Sequence, residues 1–470
     1  MKANNTSDTP LELGTPTELG TEKIGKLLKN YAVPAIIAMT ASSLYNMVDS
    51  IFIGHGVGPL AISGLGVTFP LMNLSIAFGT LVGVGGSTML SVLLGQKNYE
   101  GANKVLGNIV SLNIIVGILF MGVCLVWLDP ILRFFGATDN TIAYARDYME
   151  IILYGNAVTH LYFGLNAAMR SSGNPKFAMG LTLFTVIFNT ILDPIFIFAF
   201  GMGVRGAAIA TVIAQLCALV IITFAFRRKD NTLHFEKGIV RLDIAIAKDS
   251  LQIGMGPFLM NFAACIVNLF INQQLLKYSG DLGIGAFGIV HRISFLFLMV
   301  VMGLNQGMQP IAGYNYGARQ YKRVKEVYWM TVKWAVGVAC AGFVASECFP
   351  TLMCSIFTSD EELLGLSAKG LRLINLVFPF VGFQMVSTNF FQSLGMVNKS
   401  IFLSLSRQLL FLVPCLYLLP LVWQANGVWL SFPISDFIAS TITLIMILSL
   451  LKKFSKLEDG ADPSILGSKL

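Results

Sequence analysis

Apolar runs of about 20 residues or more recur along this 470-residue chain, separated by short charged or Gly/Pro-containing gaps. A helix rises about 1.5 Å per residue, so each run reaches across the ~30 Å hydrocarbon core of a bilayer. Lipid offers the backbone no hydrogen-bond partner, which makes helix the reading for apolar spans of this length. Composition agrees: 55% of residues are hydrophobic and 12% charged, against about 25% charged in soluble domains. The expected class is an all-α membrane protein.

About twelve spans are expected, near 27–53, 62–93, 105–128, 141–169, 177–200, 206–226, 250–277, 284–315, 327–349, 363–391, 401–421 and 427–450. Several are longer than the bilayer requires, which predicts tilt or kinks at Pro34, Pro70, Pro257, Pro310 and Pro379. The seven cysteines lie in or beside apolar runs without paired spacing, so they read as small core residues.

The net charge of +7 sits in particular loops and is no nucleic-acid signal. Lys23, Lys26 and Lys29 precede the first span. Further bases follow every second span: Lys97 and Lys104, Arg170 and Lys176, Arg227 to Lys229, Arg319 to Lys325, Lys399, and Lys452 to Lys456. The other loops hold few bases and the acidic run Asp360-Glu361-Glu362. The positive-inside rule therefore predicts cytoplasmic termini and a cytoplasmic central linker. The expected organisation is a disordered tail (1–26), a first lobe (27–226), a linker (227–249), a second lobe (250–450) and a tail (451–470).

The two halves repeat. Leu60-Ala-Ile-Ser-Gly-Leu-Gly66 matches Leu282-Gly-Ile-Gly-Ala-Phe-Gly288, and Gly95-Gln-Lys-Asn-Tyr99 matches Gly317-Ala-Arg-Gln-Tyr321. Phe135 pairs with Phe357 and Gly173 with Gly395, all 222 positions apart. Six spans per half, both starting from the same side, predict two lobes related by a pseudo-twofold axis along the membrane normal, a shape suited to alternating access. A channel would need a continuous polar ring, and an enzyme a clustered active site. His55, His160, His234 and His291 are scattered and no phosphate-binding loop of the Walker type occurs.

At these repeats the chain resembles the multidrug and toxic compound extrusion (MATE) family, nearest its DinF-like/MepA-like prokaryotic branch. The resemblance rests on Val48-Asp49-Ser50-Ile51-Phe52-Ile53-Gly54, Arg170-Ser-Ser-Gly-Asn-Pro-Lys176, Asn189-Thr-Ile-Leu-Asp193-Pro194 and Gly203-Val-Arg-Gly-Ala-Ala-Ile-Ala-Thr211, and covers roughly 27–450. It implies an antiporter in the prokaryotic inner membrane that exports organic, often cationic compounds in exchange for H⁺ or Na⁺. It implies no cofactor beyond the coupling ion, a small-molecule substrate and a functional monomer in the bilayer. The alternatives are a lipid-linked oligosaccharide flippase of related two-lobed fold and, from another class, a membrane-embedded enzyme or receptor. The first calls for a strongly basic cavity and often extra spans, which the sequence does not offer.

Depth arithmetic places the ionisable residues independently. Asp49 lies about 20 residues, hence about 30 Å, into the first span, and Asp193 falls in the outer half of the fifth. Asn189 shares a helix face with Asp193 at i, i+4, while Thr211 and Tyr148 come early in spans that enter from outside. A carboxylate at this depth is costly unless paired or protonated, so it is a functional candidate by default. Close carboxylates repel and favour holding a proton; together with an amide and hydroxyls they also form a hard-oxygen set suited to Na⁺. The resemblance assigns the cation site to Asp49, Asn189, Asp193 and Thr211, with Tyr148 joining them and Tyr154 its alternative. The plain alternative is that the acids brace helix ends.

The second lobe departs from the first: Asp49 falls opposite Asn272, and Asp193 opposite the apolar stretch around Cys415. Coupling is therefore expected in the first lobe. His291-Arg292, Arg407 and Asp436 remain as ionisable residues for an ion pair or a gating contact. Asn46, Met72, Asn73, Asn166, Met169, Met260, Asn268 and Gln306 are candidate cleft-lining residues.

Overall fold

The structure is a computed structural model that describes residues 17–57, 59–228, 232–235 and 242–461. Twelve helical crossings occur among them. The first lobe holds α1 (Ile24–Gly56), α2 (Pro59–Gly95), α3 (Tyr99–Val126), α4 (Ile142–Tyr154 continued by Asn156–Ser171), α5 (Pro175–Ala199) and α6 (Gly203–Arg227). The second holds α7 (Ile244–Gly280), α8 (Leu282–Gly317), α9 (Tyr321–Cys348), α10 (Glu361–Asn375 continued by Phe378–Ser393), α11 (397–423) and α12 (425–454). Eight stretches pass as spans on length and hydropathy alone, nine with the bent pair of α10; one of the eight, Val397–Phe454, is α11 and α12 together. Of the others, α1 carries Asp49, and the two pieces of α4 carry Arg146, Asp147, Glu150 and Arg170.

The breaks have physical causes. Gly280 (φ 63°) and Gln424 (φ 49°) reverse the chain between α7 and α8 and between α11 and α12. The 52° bend of α10 comes at Pro379, whose ring cannot continue the preceding ladder. Pro34, Pro70, Pro257 and Pro310 lie inside continuous helices instead. In α5, Pro194 lacks the N–H that would hold the ladder, and the helix widens into π turns over Ile195–Ala199. A second π stretch, Ser406–Leu412, lies in α11.

The repeat is visible in the backbone. Lys97 (φ 59°) and Arg319 (φ 56°), 222 positions apart, end α2 and α8 in the same left-handed turn. Gly95 and Gly317 sit where these helices meet across the lobes: a Cβ on Gly95 would collide with the Tyr314 carbonyl, and one on Gly317 with the Val92 carbonyl. Tyr314 is itself the repeat partner of Val92, so the two contacts are mates across the pseudo-twofold axis. The same relation governs the flanking seams, where Gly85 and Gly254 bring α2 against α7, and Gly303 and Gly307 bring α8 against Ile36 and Ala32 of α1. Between helices in lipid, small residues are what permit such backbone approach.

These seams lie toward the end of the bundle that bears the basic loops. There a single apolar core runs through both lobes, from Leu27 and Leu90 to Met308, Phe390 and Phe454. At the opposite end the core divides, with Ile53, Leu71, Phe120 and Tyr148 in one lobe and Val267, Leu275, Leu371 and Trp429 in the other. The lobes are thus joined at one end and separately packed at the other.

The N-terminal tail expected over 1–26 does not extend that far as an unstructured segment. Residues 18–21 form a helical turn, Leu19 is fully buried, and α1 begins at Ile24. Arg323 accounts for this anchoring by donating to the carbonyls of Leu19 (3.1 Å) and Glu22 (2.6 Å), with Asn315 also bonding Leu19.

Candidate functional site

Asp193 is one residue before Pro194 and the π turns of α5, and it is completely buried. Asn189, one turn earlier, donates from Nδ2 to Asp193 Oδ1 at 2.8 Å. The Asn189 carbonyl oxygen accepts from Thr211 Oγ1 on α6 at 3.2 Å, and Thr211 also bonds the Ala207 carbonyl in its own helix. The chain Thr211–Asn189–Asp193 therefore fixes one carboxylate oxygen. The other, Oδ2, is buried with no partner among the described residues.

Asp49 approaches from α1, seven residues before its end, and is 7% exposed. One turn on, Phe52 packs edge-on against Phe198 of the π turns, with ring centres 6.4 Å apart. This contact holds the outer part of α1 on α5, and the two carboxylates lie near enough to repel. Asp49 Oδ1, like Asp193 Oδ2, is buried without a partner among the described residues. Tyr148 of α4 is 3% exposed and within electrostatic reach of both acids. Tyr154, the alternative, is 61% exposed. The site thus gathers two carboxylates, an amide and two hydroxyls from α1, α4, α5 and α6. Buried carboxylate oxygens without donors are costly, and a proton or a small hard cation would satisfy them.

The candidate cleft residues divide. Met72, Asn73, Met260 and Gln306 are half-buried and Asn268 is exposed. Two expectations are corrected. Met169 is 1% exposed and packs into the shared apolar core. Asn166 is buried and donates to the Ala178 carbonyl at 3.0 Å, so it ties α4 to α5 rather than lining a cleft. Their helix face turns into the lobe. The side chain of Asn46 lies outside the described residues.

Arg170, expected among the loop bases, lies in the last turn of α4 and donates to Gln306 Oε1 of α8 at 2.7 Å, across the lobes. Gln309 likewise donates to Thr88 of α2 at 2.6 Å. These bonds join the two lobes and had no signal in the sequence, because pairing across lobes follows no local spacing. Each lobe also carries a buried Ser–Asn staple: Ser75 to Asn156 (2.5 Å) with His160 beside it, and Ser294 to Asn375 (3.0 Å).

Comparison with known proteins gives the following. The MatE family model matches twice, over residues 34–195 and 254–418, once per lobe. The multidrug export protein MepA of Staphylococcus haemolyticus (strain JCSC1435) is 26% identical over 427 residues, spanning 91% of this chain and 94% of that protein. Among solved structures, the MATE multidrug transporter DinF-BH is 35% identical, with a TM-score of 0.85 over 92% of this chain and 96% of that one. A MOP superfamily transporter from Pyrococcus furiosus is 26% identical, with a TM-score of 0.87 over 93% of this chain and 98% of that one.

Proposed function

Given that this chain belongs to the MATE family of membrane transporters, we propose that it is a secondary active antiporter exporting organic, often cationic compounds in exchange for H⁺ or Na⁺. The observation that carries this reading is the first-lobe cluster, in which Asp49 and Asp193 each bury a carboxylate oxygen without a partner among the described residues. Such a cluster holds its charge poorly when empty and takes up a cation readily.

In this reading, loading neutralises the repulsion between Asp49 and Asp193. The consequence travels along α1, whose outer half carries Asp49 while its other half abuts Gly303 and Gly307 of the second lobe through Ile36 and Ala32. Pro34 lies between those two contacts and, without an N–H, gives α1 a natural place to flex. Bending there shifts the lobes against each other, and the cleft exchanges cation for substrate. The lobes 27–226 and 250–450 are the moving bodies, the basic loops and both termini are cytoplasmic, and the divided end of the core faces outward. The seam at Gly95 and Gly317 is then the closed cytoplasmic gate.

Dye efflux from proteoliposomes under an imposed pH or Na⁺ gradient tests the proposal. One of the gradients drives efflux by the wild type, and Asp49→Asn loses the response while still binding dye. Efflux indifferent to both gradients, or an Asp49→Asn variant as responsive as wild type, refutes it.

A further inference from the structure

The two lobes handle a buried carboxylate in opposite ways. Asp436 of α12 is 7% exposed and lies 11 residues into its helix, or about 16 Å of rise, near the bilayer midplane. Its Oδ1 is 2.9 Å from Nε of Arg407, at a matching depth on α11. Gln384 of α10, 3% exposed, turns its carbonyl oxygen toward the same guanidinium at 3.4 Å. Arg407 is the second residue of the π stretch Ser406–Leu412. In the first lobe the repeat partners of Arg407, Gln384 and Asp436 are Thr185, Tyr162 and Ala214, which carry no charge; Thr185 and Tyr162 share a hydrogen bond. The charged pair is therefore a property of the second lobe, not of the repeated scaffold.

Among the described residues, Arg407 is the one charged group acting on Asp436. On α8, His291 and Arg292 are exposed, and the His291 ring lies against Phe287 and Phe295 of its own helix. Asp49 and Asp193, by contrast, each retain a buried oxygen with no partner among the described residues. A carboxylate at membrane depth requires a positive charge or a proton. The first lobe must take one from outside the chain, whereas the second carries its own.

We propose that Arg407 is a tethered counter-cation that occupies, beside Asp436, the role the exchangeable cation plays in the first lobe, so that the second lobe is permanently in the loaded charge state. The assignment rests on the antiport reading and deepens it, because it confines exchangeable cation binding to the first lobe. Removing the guanidinium alone creates a second site of uptake: Asp436 must then recruit a proton or Na⁺ itself.

Infrared difference spectra of purified protein in sodium-free buffer at neutral pH read the carbonyl band of a protonated carboxylic acid. Arg407→Gln gains one such band, Arg407→Lys does not, and the gain disappears in Arg407→Gln/Asp436→Asn while surviving in Arg407→Gln/Asp49→Asn. A folded Arg407→Gln protein without the added band overturns the assignment. If Arg407→Gln fails to fold, the neutral double variant Arg407→Gln/Asp436→Asn decides: it keeps the cation-to-substrate ratio of the wild type, and a changed ratio in the folded protein overturns the proposal. The infrared comparison needs no transport, so it stands even where the gradient assay fails.

Discussion

Gly95 and Gly317 offer the sharpest way to perturb the interlobe seam without touching the cation cluster. A Cβ at either position collides with a backbone carbonyl of the other lobe, Tyr314 or Val92, and a main chain cannot rotate aside as a side chain can. Overpacking of this kind costs about 1–3 kcal/mol per site. In Gly317→Ala that cost falls only on the conformer with the seam closed, so the equilibrium shifts toward the open conformer by about 5- to 150-fold. Adding Gly95→Ala, its mate across the pseudo-twofold axis, about doubles the free energy, to roughly 2–6 kcal/mol. Glu100 and Lys322 are exposed repeat partners just beyond the seam. Spin labels placed there in a background without the seven cysteines report the separation of the two ends by double electron–electron resonance. The expected result is a longer-distance population that grows from wild type to single to double variant. An unchanged distance distribution in a folded double variant with lowered thermal stability refutes the reasoning, because the strain would then burden every conformer equally.

Asn189→Ala removes the amide that bonds the Asp193 carboxylate and leaves Thr211 without its acceptor on α5. A hydrogen bond to a charged group is worth about 1.5–3 kcal/mol, so the coupling-ion concentration for half-maximal efflux changes at least tenfold; an unchanged value speaks against the cluster. Tyr148→Phe alters gradient-driven efflux and Tyr154→Phe does not, since only the first hydroxyl is buried with the acids; equal effects in the same assay contradict the placement. Arg323→Ala frees the Glu22 carbonyl and leaves that of Leu19 to Asn315, and limited proteolysis then cuts the segment before α1 faster than in wild type. Ser294→Ala strips the staple from Asn375 inside the second lobe. A buried amide left short of a partner costs about 1–3 kcal/mol, read as a lower melting temperature, and no loss of stability refutes the staple.

Much of this architecture is set by the sequence alone because lipid removes alternatives. Apolar length fixes the spans, basic loops set their expected direction, and an offset of 222 residues pairs the lobes down to the left-handed turns at Lys97 and Arg319. Asp49 and Asp193 stand out for a similar reason, since a carboxylate in an apolar run is conspicuous and rise per residue gives its depth. Depth, however, is one coordinate, and the direction in which a side chain faces comes from packing. Tyr148 and Tyr154 are equally plausible along the chain, yet one enters the cluster and the other points out of the protein. Met169 and Asn166 lie at a reasonable depth for a cleft and turn inward to the core and to Ala178. Arg170 counts as a loop base until Gln306 is brought to it from 136 residues away. Local spacing encodes neighbours on one helix, but which faces of two helices meet is settled by the joint packing of all twelve, and that only the tertiary structure decides.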